Sequence, residues 1–217
     1  EGDCLDVLPR LKGIDAVLTD PPYGVSLKSH GSLFLGISEI QGDENQEVGQ
    51  AAIDLSNSYG WPVLAFADPL KPWRGDWRQA LVWNKGGAVG IGGDRATCWK
   101  RSWELIQVSR KFGTLNGDRD ESVLEFPMMP YDSSAHPAAK SLPLMKYLVR
   151  KLTQVGDTIL DPFAGSATTA VAALREGRRC ILIERDPAYC DIIRKRVRAA
   201  AGIGSLFDPS LLGDNDG

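Results

Sequence analysis

Along most of the chain, short apolar runs closed by polar or turn-forming residues alternate with stretches whose apolar positions recur every three or four residues. The first pattern predicts strands at 15–19, 62–67, 79–83, 102–108, 157–160 and 178–183. The second predicts helices. A short one covers 4–12, kinked or cut by Pro9, and another covers 46–59 with inward positions 48, 51, 52, 55 and 59. A third follows Lys140, led by Leu142, Met145, Leu148, Val149 and Leu152, and a last one over 186–200 turns Tyr189, Ile192, Ile193 and Val197 inward. A further helix starts after the turn that closes strand 157–160. Strands alternating with helices predict an α/β fold, a mostly parallel sheet with helices on both faces.

One junction carries chemistry of its own: Val17-Leu18-Thr19-Asp20-Pro21-Pro22-Tyr23-Gly24. Proline cannot donate to a strand ladder, so Pro21 and Pro22 lie beyond the strand and Asp20 stands at its carboxyl end, where open α/β sheets bind ligands. The stiff backbone presents the carbonyls of Asp20 and Pro21 and the ring of Tyr23 in fixed directions. A carboxylate and a carbonyl can accept both protons of an exocyclic amine while an aromatic ring stacks on a flat heterocycle. An ordinary Asp-Pro turn with a surface tyrosine is the plain alternative.

Residues 24–47 are rich in Gly and Ser without a period, which predicts a long loop hung from this junction and able to close over a bound base. Within it, Lys28 and His30 are either phosphate contacts or solvated surface. Tryptophans at 73, 77, 83, 99 and 103 are interleaved with Lys and Arg, and they either stack on unpaired bases or pack in the core. Any target-recognition element falls within 86–139 and is small, so a short or permissive recognition sequence is expected.

The 217 residues carry a net charge of −3, unevenly spread: residues 1–70 hold 3 basic and 11 acidic side chains, residues 71–113 hold 9 and 3, and residues 140–200 come to +6. Such blocks are either solvated faces or, for the basic ones, a surface for phosphate. Cysteines at 4, 98, 180 and 190, with only His30 and His136 to join them, lack metal-ligand spacing and disulfide density, so reduced thiols and no metal are expected. None follows a proline, so the chain does not resemble the cytosine-C5 methyltransferases, whose nucleophile is a Pro-Cys. No apolar run approaches the roughly 20 residues needed to span a bilayer, and the acidic start is no signal peptide, so a cytoplasmic protein is expected. Gly2-Asp3 reads as the exit from a strand that would precede residue 1, and the chain after Gly202 as a frayed tail.

Asp20-Pro21-Pro22-Tyr23 resembles the catalytic motif of the amino-group DNA methyltransferases, which methylate N6 of adenine or N4 of cytosine. Asp161-Pro162-Phe163-Ala164-Gly165-Ser166-Ala167-Thr168-Thr169 resembles the family's cofactor turn, with Ala167 where a second glycine is usual. His136-Pro137-Ala138-Ala139-Lys140 resembles its His-Pro-x-x-Lys-Pro box, Ser141 replacing the final proline. Trp83-Asn84-Lys85 resembles its Trp-x-Lys segment, and 102–108 its Glu-containing strand before a basic run, here Arg110-Lys111. Catalytic motif first and cofactor turn last is the order of the β group.

The resemblance implies a Rossmann-like S-adenosylmethionine-dependent methyltransferase fold in permuted order. One domain over 1–217 would comprise a catalytic half at 1–112 and a cofactor half at 136–200. It implies catalytic roles for Asp20, Pro21, Pro22 and Tyr23. Cofactor contacts would come from Asp3, Cys4, Asp20, Lys140, Asp161, Phe163, Ala164, Gly165, Ser166, Thr168, Thr169, Glu184 and Arg185. DNA contacts would come from Lys28, His30, Trp83, Lys85, Arg110 and Lys111. For Asp3 a helix N-cap, for Lys140 a surface lysine, and for Glu184 a pairing with Arg185 are the other readings. The implied reaction is methyl transfer to adenine N6 in DNA after base flipping, with cytosine N4 or an inactive DNA- or cofactor-binding scaffold as alternatives. RNA or a glutamine amide is open by analogy. The protein would act as a monomer or homodimer in the cytoplasm of a bacterial or phage-infected cell.

Overall fold

A computed structural model describes residues 1–22, 46–86, 102–127 and 140–202 of the chain. Tyr23, Lys28, His30, the 24–45 loop, residues 136–139 and the tail from 203 lie outside the described residues. In chain order the elements are α1 (Cys4–Val7) with a 3-10 turn (Leu8–Arg10), β1 (Ala16–Thr19), α2 (Glu47–Ser58), β2 (Val63–Ala67), β3 (Trp77–Asn84) and β4 (Trp103–Ser109). They continue with β5 (Val123–Glu125), α3 (Leu142–Leu152), β6 (Thr158–Asp161), α4 (Thr168–Arg175), β7 (Arg179–Leu182) and α5 (Pro187–Ala200).

Local chemistry sets several of these boundaries. Asp3 caps α1, its Oδ1 accepting from the Leu5 N–H at 2.9 Å, and Pro9 limits that helix to a single turn before the 3-10 segment. Asp186 caps α5 in the same way, with Pro187 in the first turn, where a missing N–H costs nothing.

The strands form one sheet in the order β5-β3-β4-β2-β1-β6-β7. All neighbouring pairs are parallel except those made by β4, which runs against both β2 and β3. The sheet is therefore mostly parallel with one reversed strand. From β1 the chain crosses through α2 to β2 on one side, whereas β6 and β7 extend the sheet on the other. The strand order thus switches between β1 and β6, which makes the carboxyl ends of those two strands the ligand edge.

Side chains of β1 alternate between two cores, which is why all four of its residues are buried. Ala16 and Leu18 face Leu144, Leu148, Val149, Ala172 and Ala173 of α3 and α4. Val17 faces Ala52 and Ile53 of α2, with Leu8 and Trp73 beside them. Helices cover both faces as expected. The three-residue β5 was not anticipated: only Leu124 of it is buried, too little signal for an apolar pattern.

Candidate active site

The two Asp-Pro strand ends lie side by side. β1 and β6 pair in parallel with Val17 opposite Leu160, and one step further the Thr19 hydroxyl donates to Asp161 Oδ1 at 3.0 Å. The same oxygen accepts from the Phe163 N–H at 3.1 Å, and Oδ2 accepts from the Thr169 hydroxyl at 2.6 Å. Asp161 is 3% exposed, so this carboxylate braces the turn from inside. Burial pushes its pKa up to about 6, against those three hydrogen bonds, with the charge of nearby Asp20 adding to the rise.

The turn after β6 is held from several directions. The Ala164 N–H donates to the Ile183 carbonyl at 3.0 Å, and Arg196 of α5 donates to the Ser166 carbonyl at 2.5 Å. Gly165 has φ +47, and Ala167, at the N-cap of α4, has φ 62. A left-handed alanine costs about 1–2 kcal/mol, which explains why glycine is the usual residue there. Glu184, just past β7, accepts from the Gly165 N–H at 2.9 Å through Oε2 and from the Arg185 and Asp186 N–H groups through Oε1. Its link to Arg185 thus runs through backbone. The Glu184 carbonyl accepts from the Gly2 N–H at 2.9 Å, which brings the Asp3-Cys4 turn to the same rim. Cys4 is buried, and burial, with Asp3 adding to it, pushes its thiol up to about 12, so only its backbone can serve a ligand.

Asp20 lies on the β1 side of the same strand-end edge. Its Oδ2 lies 2.8 Å from the Lys140 ammonium, which also donates to Glu104 Oε2 at 2.8 Å, and Glu104 Oε1 takes Lys85 at 2.9 Å. Asp20, Lys140, Glu104 and Lys85 form a chain of alternating charge. The Lys140 side chain is only 12% exposed and sits 4.8 Å over the Phe66 ring. Burial opposes its charge, but Asp20 and Glu104 outweigh that effect and raise its pKa. Burial likewise opposes the charge of Glu104, and Lys140 and Lys85 hold its carboxyl below the ordinary range.

Several expected roles change. Lys140 is no surface lysine; it is the ionic partner of Asp20. Trp83, expected against DNA, is a core side chain at 1% exposure, because the β3 pleat turns it inward and its indole N–H donates to the Phe126 carbonyl at 2.8 Å. Trp73 is buried as well, and among the described tryptophans Trp103 is the exposed one. Lys85 is spent on Glu104. Arg110 and Lys111 follow β4, whose reversal carries them to the sheet edge opposite Asp20; there Arg110 pairs with Asp76 at 3.0 Å and Lys111 donates to the Asn57 carbonyl. They are not beside the crevice. The Thr169 hydroxyl points inward to Asp161, so it can reach a ligand only through that carboxylate. Glu104 is the residue sequence reasoning left without a site role, although its position at the start of β4 puts it at the Asp20 edge.

A seven-strand sheet with one reversed strand, switching beside two Asp-Pro ends, is the frame of a Rossmann-like methyltransferase. A profile of the N6/N4 DNA methylases matches residues 71–195, and the chain belongs to that DNA methylase family. It is 52% identical over 62 residues to the type II methyltransferase M.BglI of Bacillus subtilis, a match covering 29% of this chain and 18% of that protein. It is 26% identical to M.HinfI of Haemophilus influenzae, over 91% of this chain and 67% of that protein. The chain thus matches well under two thirds of the length of M.BglI. Among solved structures, the M1.HpyAVI–SAM complex superposes with a TM-score of 0.66 at 19% identity, covering 91% of this chain and 96% of that one. The cytosine-N4-specific PvuII DNA methyltransferase superposes at 0.63 and 16% identity, covering 93% and 91%.

Proposed function

We propose that this protein transfers a methyl group from S-adenosylmethionine to an exocyclic amine of a base in DNA, with adenine N6 as the target. The observation that carries the reading is the adjacency of Asp20 and the Gly165 turn at one switch point, joined by the Thr19–Asp161 hydrogen bond.

The residues at the turn fit this cofactor. Glu184 stands at a strand end suited to ribose hydroxyls and is oriented by the Gly165 N–H, Gly165 adds no side chain to the rim, and Asp3 lies beside them. The side-chain acceptors at that rim are acidic, in keeping with a nucleoside that carries no phosphate. Bound there, S-adenosylmethionine supplies an electrophilic methyl carbon.

On the substrate side, the Asp20 carboxylate and the Pro21 carbonyl accept the amine protons, and Tyr23 stacks on the flipped base. Lys140 holds Asp20 in place through its 2.8 Å contact, so the carboxylate stays aimed as an acceptor. The amine nitrogen forms its bond to the methyl carbon as the carbon–sulfur bond breaks, and the proton leaves the cationic nitrogen afterwards. Asp20 therefore needs no raised basicity. Residues 1–112 supply this catalytic half and 136–200 the cofactor half.

The leading Asp of the tetrapeptide favours adenine, and the relation to a cytosine-N4 enzyme makes N4 the competing outcome. Labelled methyl transfer into plasmid DNA followed by nucleoside analysis tests both. N6-methyladenine is expected, N4-methylcytosine would overturn the target, and no transfer would overturn the activity. Asp20→Ala should abolish transfer while cofactor binding persists; a near-normal rate would remove Asp20 from the mechanism.

A further inference from the structure

Pro21, the second residue of the catalytic tetrapeptide, is buried, and what it is buried against is unusual. Gly49, in the first turn of α2, is so close that a Cβ built there would lie 2.9 Å from Pro21 Cβ, 2.7 Å from Trp73 Cη2 and 3.1 Å from Trp73 Cζ3. Glycine has a low helix propensity even near a helix start, so α2 gives up some stability to let these three groups touch.

Trp73 cannot yield. Its indole N–H donates to the Phe66 carbonyl at 2.7 Å, and its backbone N–H donates to Gln107 Oε1 at 2.7 Å. Its carbonyl accepts from Gln107 Nε2 at 3.1 Å and from the Trp77 indole at 2.8 Å. It is 2% exposed, at the end of β2 that flanks the ligand edge. The helix cannot yield either. Gln50 donates to the Arg74 carbonyl at 3.1 Å and accepts from the Arg74 N–H at 2.9 Å, while Gln46 donates to the Lys71 carbonyl at 2.7 Å. Both glutamines clamp the start of α2 onto the 71–74 segment. Among the described residues, Pro21 is held by neither of these two sets of bonds, and the Lys140 contact holds Asp20 just before it.

We infer that Gly49 and Trp73 form a rigid seat that sets the position of Pro21, and with it the acceptors of the catalytic tetrapeptide. Gly49 is a positioning residue with no contact to substrate. The inference rests on the proposed methyl transfer and extends it to a residue outside the motifs.

The test is Gly49→Ala. To reach ordinary contact, Pro21 must shift by at least about 0.5 Å. Displacements of roughly this size cost on the order of 10- to 100-fold in rate when they move reacting groups. Single-turnover methyl transfer should slow by at least about 10-fold, with the S-adenosylmethionine Kd within about twofold of wild type. The midpoint of unfolding should fall as well, because the added Cβ also lies 2.7 Å from Trp73 Cη2, so the folded fraction is checked by circular dichroism before rates are compared. Gly49→Ala combined with Trp73→Leu, which makes room on the other side, should recover part of the rate.

An unchanged rate in Gly49→Ala, or equal losses of rate and cofactor affinity, would overturn the seat. No recovery in the double variant would also count against it, provided circular dichroism shows that variant folded. Wild-type activity abolished by Asp20→Ala is measured alongside. If wild type itself transfers no methyl, the functional reading fails; if only Gly49→Ala disagrees, the seat alone fails.

Discussion

Asp161 is a carboxylate that the fold would hold more comfortably with a proton. Burial raises its pKa from the ordinary 3.8 to about 6, a shift of roughly two units, worth about 3 kcal/mol when the group must be ionised. Because the folded value lies above the unfolded one, the folded state binds the proton more tightly. The associated stability is fully present below about pH 4 and is lost as pH rises through about 6. Asp161→Asn removes this titration while preserving most of the bonding. The amide oxygen can keep the Phe163 N–H, and a threonine hydroxyl can turn from donor to acceptor for the new NH₂. At pH 8 the variant should equal or exceed wild type in stability, by up to about 3 kcal/mol, and that advantage should shrink steadily toward pH 4.5. Urea unfolding of both proteins across this range reads the difference directly, since titrations common to both cancel. A difference independent of pH, or one that grows toward acid, would refute the assignment of strain to the ionised form.

Removing Lys140 from the charge chain should be costly. Lys140→Met leaves two half-buried carboxylates without their shared cation and should lower stability, and adding Glu104→Gln should recover part of the loss; denaturant midpoints with no recovery would refute the chain as the cause. The pH limits of that chain follow from its two shifted members. The contribution of Glu104, whose pKa is lowered, is present above the unfolded carboxylate value and lost in acid, whereas that of Lys140, whose pKa is raised, is present below the unfolded lysine value and lost in strong alkali. At the cofactor turn, Ala167→Gly should leave stability within about 1 kcal/mol of wild type, because relief of the left-handed backbone offsets the lost methyl. Ala172→Gly, buried in the interior of α4, should cost about 2 kcal/mol, and equal costs at the two sites would contradict the backbone argument.

The central parallel strands β1, β2 and β6 were legible because each is buried on both faces and therefore writes a nearly unbroken apolar run, as Val63–Ala67 does. The prolines after Asp20 and Asp161 marked the strand ends, and the ends proved adjacent. What the sequence concealed was direction and facing. Nothing in residues 102–108 announces that β4 runs backwards, and that reversal alone removes Arg110 and Lys111 from the crevice and puts Glu104 into it. Nothing in the Trp83 neighbourhood tells a core tryptophan from a stacking one, because β3 has one covered face and aromatic residues suit either. The contact of Gly49 with Pro21 was hidden for a related reason: a lone glycine in a helical pattern reports a cost but not the neighbour that imposes it.

Among the described residues, both outermost strands of the sheet are short, three residues in β5 and four in β7, and each exposes a charged side chain, Glu125 on one and Arg179 on the other. Only about 10–13 Å of unpaired backbone is thereby offered along either rim. A neighbouring copy would find little there to add a strand to, and the charges further discourage a growing ribbon. Strand-to-strand association through these two rims of the described sheet is accordingly disfavoured.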